Sequence, residues 1–209
     1  MAFGVSVAGA ARSGDYRDDF TSFDVHRWYK SSRPFGWGAV DPANVFVSGG
    51  MLGIRLPGGT LNGGEVRSLA LTRYGSYRVR MKVANAPSSL TAFFLYKKPD
   101  FEQELDIEIY NDSSGRVMFS TYSGGRQTNT VNANLGFDPT TAFHEYAIEY
   151  DPGSVRFLVD GGERQRFTSG VPSASMYLYL NAWFPSWLAG TRPANDQVTY
   201  ADWVEHVDR

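Results

Sequence analysis

The stretch Glu104-Leu105-Asp106-Ile107-Glu108-Ile109 alternates without a break between carboxylates and aliphatic side chains. Successive side chains of a β-strand point to opposite faces. A strand here therefore carries Leu105, Ile107 and Ile109 on one face and Glu104, Asp106 and Glu108 on the other. The aliphatic face can enter a core between two sheets, which leaves the acidic set on the outer face of its sheet. The same two-residue period recurs along the chain and predicts strands over 51–56, 65–71, 76–83, 90–96, 104–110, 116–122, 128–134, 144–149, 155–159, 164–167, 176–183 and 198–207. Helical periodicity is almost absent. Gly49-Gly50, Pro57-Gly58-Gly59, Asn62-Gly63-Gly64 and Asp112-Ser113-Ser114-Gly115 supply turns between them. Hairpins are expected across Asp151-Pro152-Gly153-Ser154 and across Asp160-Gly161-Gly162. Many short strands joined by tight turns indicate an all-β chain of two antiparallel sheets packed face to face.

A chain of 209 residues suits one such domain and is long enough to bury a core without covalent staples. Residues 1–17 are expected to be a flexible N-terminal segment, a tag or the remnant of a trimmed signal peptide, because 2–14 is rich in small residues and has no charged start. Residues 18–209 are expected to form the single domain. The chain has no cysteine, which excludes disulfides, thiol nucleophiles and zinc-thiolate sites. A net charge of −2 argues against electrostatic attraction to nucleic acid or to an anionic membrane. No apolar run approaches the roughly 20 residues needed to span a bilayer. Aromatic residues make up 15%, which suits both the stacking of sugar rings and the ordinary preference of strands for aromatics.

Three carboxylates side by side with no interleaved Lys or Arg repel one another, so at least one pKa should rise. That is the condition for a protonated carboxyl to persist beside an ionised one. Retaining glycosidases use such a pair about 5–5.5 Å apart, one as nucleophile and one as acid. Positions four residues apart on a strand lie about 13 Å apart, so the outer pair requires a curved sheet with a cleft. A solvated acidic face and a calcium site are the alternatives that alternation alone leaves open.

The sequence Glu104-Leu105-Asp106-Ile107-Glu108 resembles the E-x-D-x-E signature of glycoside hydrolase family 16. The likeness extends to 20–28, Gly64-Glu65-Val66-Arg67-Ser68, 74–82, 135–138, 143–146, 159–161 and 200–204, in order, over about 18–207. It implies a β-jelly-roll with a substrate cleft across the concave sheet. It also implies Glu104 as nucleophile, Glu108 as general acid/base and Asp106 as the residue that tunes Glu104. Glu65, Arg67, Tyr96, Tyr122, Asn181 and Trp183 match substrate-contacting positions, while Trp37 and Trp187 are candidate stacking platforms at a cleft end. Asp202, with a backbone oxygen of Gly50, matches a structural calcium site; no cofactor is implied for catalysis. Trp28, Trp203 and His144 read as framework residues.

The regular signature, without an extra residue before the last Glu, is similar to the lichenase and xyloglucan-transferase branches. The implied activity is endo-hydrolysis of a β-glucan by a secreted, monomeric protein whose partner is a polysaccharide. Transglycosylation and non-catalytic sugar binding are the alternatives. Three departures bear on the substrate: Glu102 stands where lichenases carry an aromatic residue, Ser120 where they often carry Asn, and 33–38 does not follow their pattern.

Overall fold

Strands that bury one face each need a second sheet as a lid. The computed structural model of the chain, which describes residues 14–209, contains two such sheets. In chain order the strands are β1 (Tyr16–Asp18), β2 (Trp28–Lys30), β3 (Arg33–Phe35), β4 (Gly38–Val40), β5 (Val45–Ser48), β6 (Met51–Leu56), β7 (Gly64–Ser68), β8 (Gly75–Lys82) and β9 (Leu90–Lys97). They continue as β10 (Gln103–Tyr110), β11 (Arg116–Ser123), β12 (Gln127–Asn134), β13 (His144–Asp151), β14 (Ser154–Val159), β15 (Gly162–Phe167), β16 (Tyr177–Trp183) and β17 (Gln197–Asp208).

One sheet runs β12-β11-β10-β9-β16-β7-β2. The other runs β15-β14-β13-β8-β17-β6-β5, with β1 added along β17. The chain crosses between sheets at β1–β2, between β2 and β5, along β6–β7–β8–β9, at β12–β13 and along β15–β16–β17, and this alternation makes the sandwich a jelly-roll. Between the sheets lies one continuous apolar core. Leu105, Ile107 and Ile109 enter it from β10, and Tyr77, Val79, Met81, Ile148 and Phe157 meet them from the opposite sheet. Full burial of an aliphatic side chain contributes about 1.5–3 kcal/mol, so β10 is anchored by the face that carries no chemistry.

Both expected hairpins form. Tyr146 pairs with Val159 and Tyr150 with Val155. The β14–β15 turn holds Asp160 at φ 49° and Gly161 at φ 75°, the left-handed pair that suits the twist of a two-residue hairpin. Asp160 also accepts from the Glu145 backbone N–H at 2.9 Å and contacts His144 Nδ1, while His144 stacks on Phe137. His144 is thus a framework residue, as expected, and Trp28 is buried with its Nε1–H on Asp18.

Strands β1 to β5 escape the periodicity reading because three or four residues are too few to show a period of two. β1 places Tyr16 and Arg17 in a sheet, so the ordered fold begins earlier than the expected boundary at 18. The rest of that N-terminal expectation, residues 1–13, lies outside the described residues.

Asp202 sits on a bulge of β17, where the pairing with β8 skips from Ala201 to Trp203. Its carboxylate accepts from Arg80 on β8. A hard dication needs about six to eight oxygen ligands. Here the side-chain part of such a seat is one carboxylate, already charge-paired with a guanidinium, and no cluster of three or more His, Asp or Glu side chains suited to a metal occurs among the described residues. The carboxylate that the resemblance assigns to calcium is thus engaged by Arg80 in this structure. Chelation with EDTA is expected to leave the melting temperature unchanged to within about 1 °C. A fall of several degrees that calcium reverses would return the ion to this bulge.

Candidate active site

β10 lies near the middle of its sheet, between β9 and β11, so every acidic side chain has a cross-strand neighbour on both sides. Glu104 faces Tyr96 and Tyr122, Asp106 faces Phe94 and Ser120, and Glu108 faces Ala92 and Met118. Glu104 and Glu108 are half-buried and Asp106 is buried. All three open onto a cleft of about 890 Å³ that crosses the sheet from β11 to β7. The gap between the sheets is filled by the other face of β10. The acids thus form the floor of a cleft, not a solvated outer surface.

Burial raises all three carboxyls. Glu104 is pushed up to about 8 by burial and then by the charges of Glu108 and Asp100, while a hydrogen bond with Asp106 pulls it back. Asp106 is raised well above the usual carboxylate range by burial, by the charges of Glu104 and Glu108, and by that same hydrogen bond. Glu108 is pushed up to about 7 by burial. No cation offsets these effects at any of the three. The row therefore holds protons more tightly than free carboxyls do, and the hydrogen bond between Asp106 and Glu104 favours the proton on Asp106. The charge of Glu108 is one cause of the rise at Glu104, so a proton on Glu108 eases the ionisation of Glu104.

The walls are largely aromatic. Phe94 stacks on Tyr179 at 4.8 Å, and Tyr96 meets Tyr179 edge-on. Tyr96 donates its hydroxyl to Asp100, and Tyr122 accepts from Gln127 Nε2 at 2.9 Å. The guanidinium of Arg67 lies over the rings of Tyr29 and Tyr177. Trp187 lines the far end with its edge toward Tyr110.

Of the residues expected to meet substrate, Arg67, Tyr96, Tyr122, Asn181, Trp183 and Trp187 all line this cleft. Glu65 and Trp37 do not. Glu65 is wholly buried beneath Arg33, and Trp37 spends its indole N–H on the Leu188 carbonyl at 2.9 Å, tying the β3–β4 turn to the 188–190 loop. Asp202 and Gly50 belong to the opposite sheet and its β5–β6 turn.

The lining also includes residues outside the expected set, among them Arg33, Phe94, Phe101 and Tyr179. Phe94 and Tyr179 share a strand face with Tyr96 and Asn181, so the period of two already contained them. Phe101 adopts φ 68° and brings its ring over Tyr122 at 5.5 Å, which restores an aromatic platform one residue before Glu102. Backbone conformation of that kind leaves no mark in the residue pattern.

The family model described as "Glycosyl hydrolases family 16" matches residues 38–205. The chain belongs to this family. Among its relatives, the "Beta-glucanase" of Bacillus subtilis (strain 168) is 27% identical over 219 residues, covering 98% of this chain and 90% of that protein. The "Beta-glucanase" of Paenibacillus polymyxa is 34% identical over 151 residues, 69% of this chain and 63% of its own. The solved structure of the Bacillus licheniformis β-glucanase is similar with a TM-score of 0.85 at 26% identity, covering 94% of this chain and 99% of that one. This family 16 enzyme is therefore a glycoside hydrolase, and the acidic row lies in a cleft of the sheet opposite β17.

Raised carboxyls in this glycoside hydrolase also fix the sign of a stability effect. Folding tightens proton binding at Glu104 and Glu108. The fold is thus favoured below the ordinary carboxylate range and loses stability as pH rises through about 7 and about 8. The melting temperature should fall between about pH 5 and pH 9. Glu104→Gln should flatten that fall and raise the melting temperature at the alkaline end by about 3–6 °C. An unchanged pH dependence in the variant, followed by calorimetry, would contradict the burial of this row.

Proposed function

We propose that the enzyme is a retaining, endo-acting β-glucanase that cleaves internal bonds of a 1,3-1,4-β-glucan by double displacement. The observation that carries the reading is the in-register row Glu104–Asp106–Glu108 on the floor of an aromatic-walled cleft, with Asp106 hydrogen-bonded to Glu104. Relatives named "Beta-glucanase" supply the substrate class.

In the first step a Glu104 carboxylate oxygen attacks the anomeric carbon while Glu108 gives its proton to the departing glycosidic oxygen. The C–O bond to the leaving chain breaks as the bond to Glu104 forms. Glu108, now ionised, then takes a proton from water, which displaces Glu104 and restores the starting state. Asp106 keeps its proton throughout and steadies the charge on Glu104 before attack and after release. The chemistry uses carboxyls alone. A polymer of this kind cannot enter a cell, so we place the enzyme outside it, acting as a monomer.

Transglycosylation uses the same residues with a sugar hydroxyl in place of water. Product analysis at high oligosaccharide concentration separates the two, since only transfer yields chains longer than the substrate. Retention of both Glu104 and Glu108 favours catalysis over mere sugar binding.

Against mixed-linkage glucan, laminarin, xyloglucan and β-galactan, reducing ends should appear fastest from mixed-linkage glucan. Glu104→Gln and Glu108→Gln should each lower kcat on the polymer by about 10²–10⁴-fold without loss of fold. Wild-type activity should decline as pH rises through about 7, where Glu108 loses its proton. With an aryl leaving group that needs no protonation, Glu108→Gln should keep its glycosylation step and lose that alkaline decline. Normal polymer hydrolysis by either variant would remove the role given to that residue.

A further inference from the structure

The hairpin β3–β4 is the part of the cleft that departs most from the family pattern, and it covers two of the positions expected to meet sugar. Arg33, Pro34 and Phe35 of β3 all line the cleft, with Arg33 and Phe35 less exposed than Pro34. Gly36 lets the turn press against β16. A Cβ there would overlap the Phe184 carbonyl, to which the Trp37 N–H donates at 2.8 Å. The hairpin is thus a fixed wall.

Phe35 lies between Trp183, stacked at 4.0 Å, and the guanidinium of Arg33, 4.4 Å above its ring. Both faces of Phe35 and one face of Trp183 are therefore taken. Glu65, with no exposed surface, accepts from Arg33 Nη1, from Arg33 Nη2 at 3.0 Å and from Asn181 Nδ2 at 3.1 Å. The Glu65 carboxylate and the two faces of Phe35 are therefore already engaged at this end of the cleft.

The Arg33 side chain is 38% exposed and lines the cleft, and its Nε–H has no acceptor among the described residues. Across Glu65, Asn181 also lines the cleft and holds a buried Oδ1 that no donor satisfies. Glu65 fixes the amide so that Nδ2 faces the carboxylate and Oδ1 faces away. A donor and an acceptor thus flank one buried carboxylate.

We infer that Arg33 is a specificity-determining, substrate-contacting residue that, with Asn181, reads a pair of adjacent hydroxyls on a neutral pyranose at this end of the cleft. The inference deepens the proposed function and rests on its placing of substrate in the cleft. Because Glu65 already balances the guanidinium charge, the pair suits an uncharged sugar and not a uronic acid.

The test measures binding. Affinity gels carrying the same polysaccharide panel, with pectin added, identify the polymer that retards Glu104→Gln, and oligosaccharides of rising length are prepared from it. Calorimetry then compares Glu104→Gln alone with the same protein carrying Arg33→Met or Arg33→Lys. Arg33→Met should weaken Kd about tenfold for oligosaccharides long enough to reach the hairpin, and leave the shortest unaffected. Arg33→Lys keeps a charge for Glu65 but lacks the planar fork, so it should recover only part of the loss and should melt close to the parent. Equal affinity at every length in both variants, equal weakening at every length, retardation only by pectin, or no retardation at all would each overturn the inference. If Arg33→Met fails to fold, Arg33→Lys alone decides between these outcomes. An enzyme that is retarded by a neutral polymer other than β-glucan would sink the proposed substrate and leave Arg33 standing.

Discussion

Three carboxyls, one buried and two half-buried, sit side by side on one strand with no cation to offset them, and the rest of the molecule is arranged to hold them there. The opposite face of β10 sinks Leu105, Ile107 and Ile109 fully into the core, and β9 and β11 pair with it along nearly its whole length. Backbone ladders on both sides and an aliphatic anchor below leave the acids no route to solvent except the cleft. Their repulsion and desolvation then appear as raised pKa values, the property that lets one carboxyl keep a proton beside another that has lost it. The same burial that weakens the fold at alkaline pH equips the site for acid and nucleophile chemistry.

The surroundings of the row divide by task. The aromatic side chains of β9 and β16, above all Phe94, Tyr96 and Tyr179, present flat surfaces that suit the C–H faces of sugar rings. The hairpin β3–β4 and the loop before β10 add walls that belong to no sheet. Here the chain differs from the pattern of its relatives, and here Arg33 and Phe101 enter the cleft. The floor sets which reaction occurs, and the added walls bear on which polymer is read. A single jelly-roll can thus keep one chemistry while its rim changes.

Much of this was legible in the residues, for physical reasons. Alternation assigned the faces of β10 and located the strands of five residues or more, because burial on one side imposes a period of two. The family resemblance added Arg67, Tyr96, Tyr122, Asn181 and Trp183, all of which reach the cleft. Glu65, expected to hold sugar hydroxyls, is paired with Arg33, and that pairing leaves no local trace because Arg33 lies 32 positions away on a three-residue strand containing proline. Likewise, the pairing of Asp202 with Arg80 is made only when β8 lies beside β17. Pairings between distant short elements, and left-handed residues such as Phe101, are set by tertiary packing and leave no local signature.

The central claim is that Glu104 and Glu108 act as nucleophile and acid/base in two successive displacements. The stereochemistry of the first-formed product tests it most directly, followed by proton NMR during early hydrolysis of a β-glucan oligosaccharide. Two inversions at the anomeric carbon restore the starting configuration, so the β-anomer should appear first and the α-anomer should grow only as the product mutarotates. An α-anomer at the outset would mean a single displacement by water, and would contradict the covalent role given to Glu104.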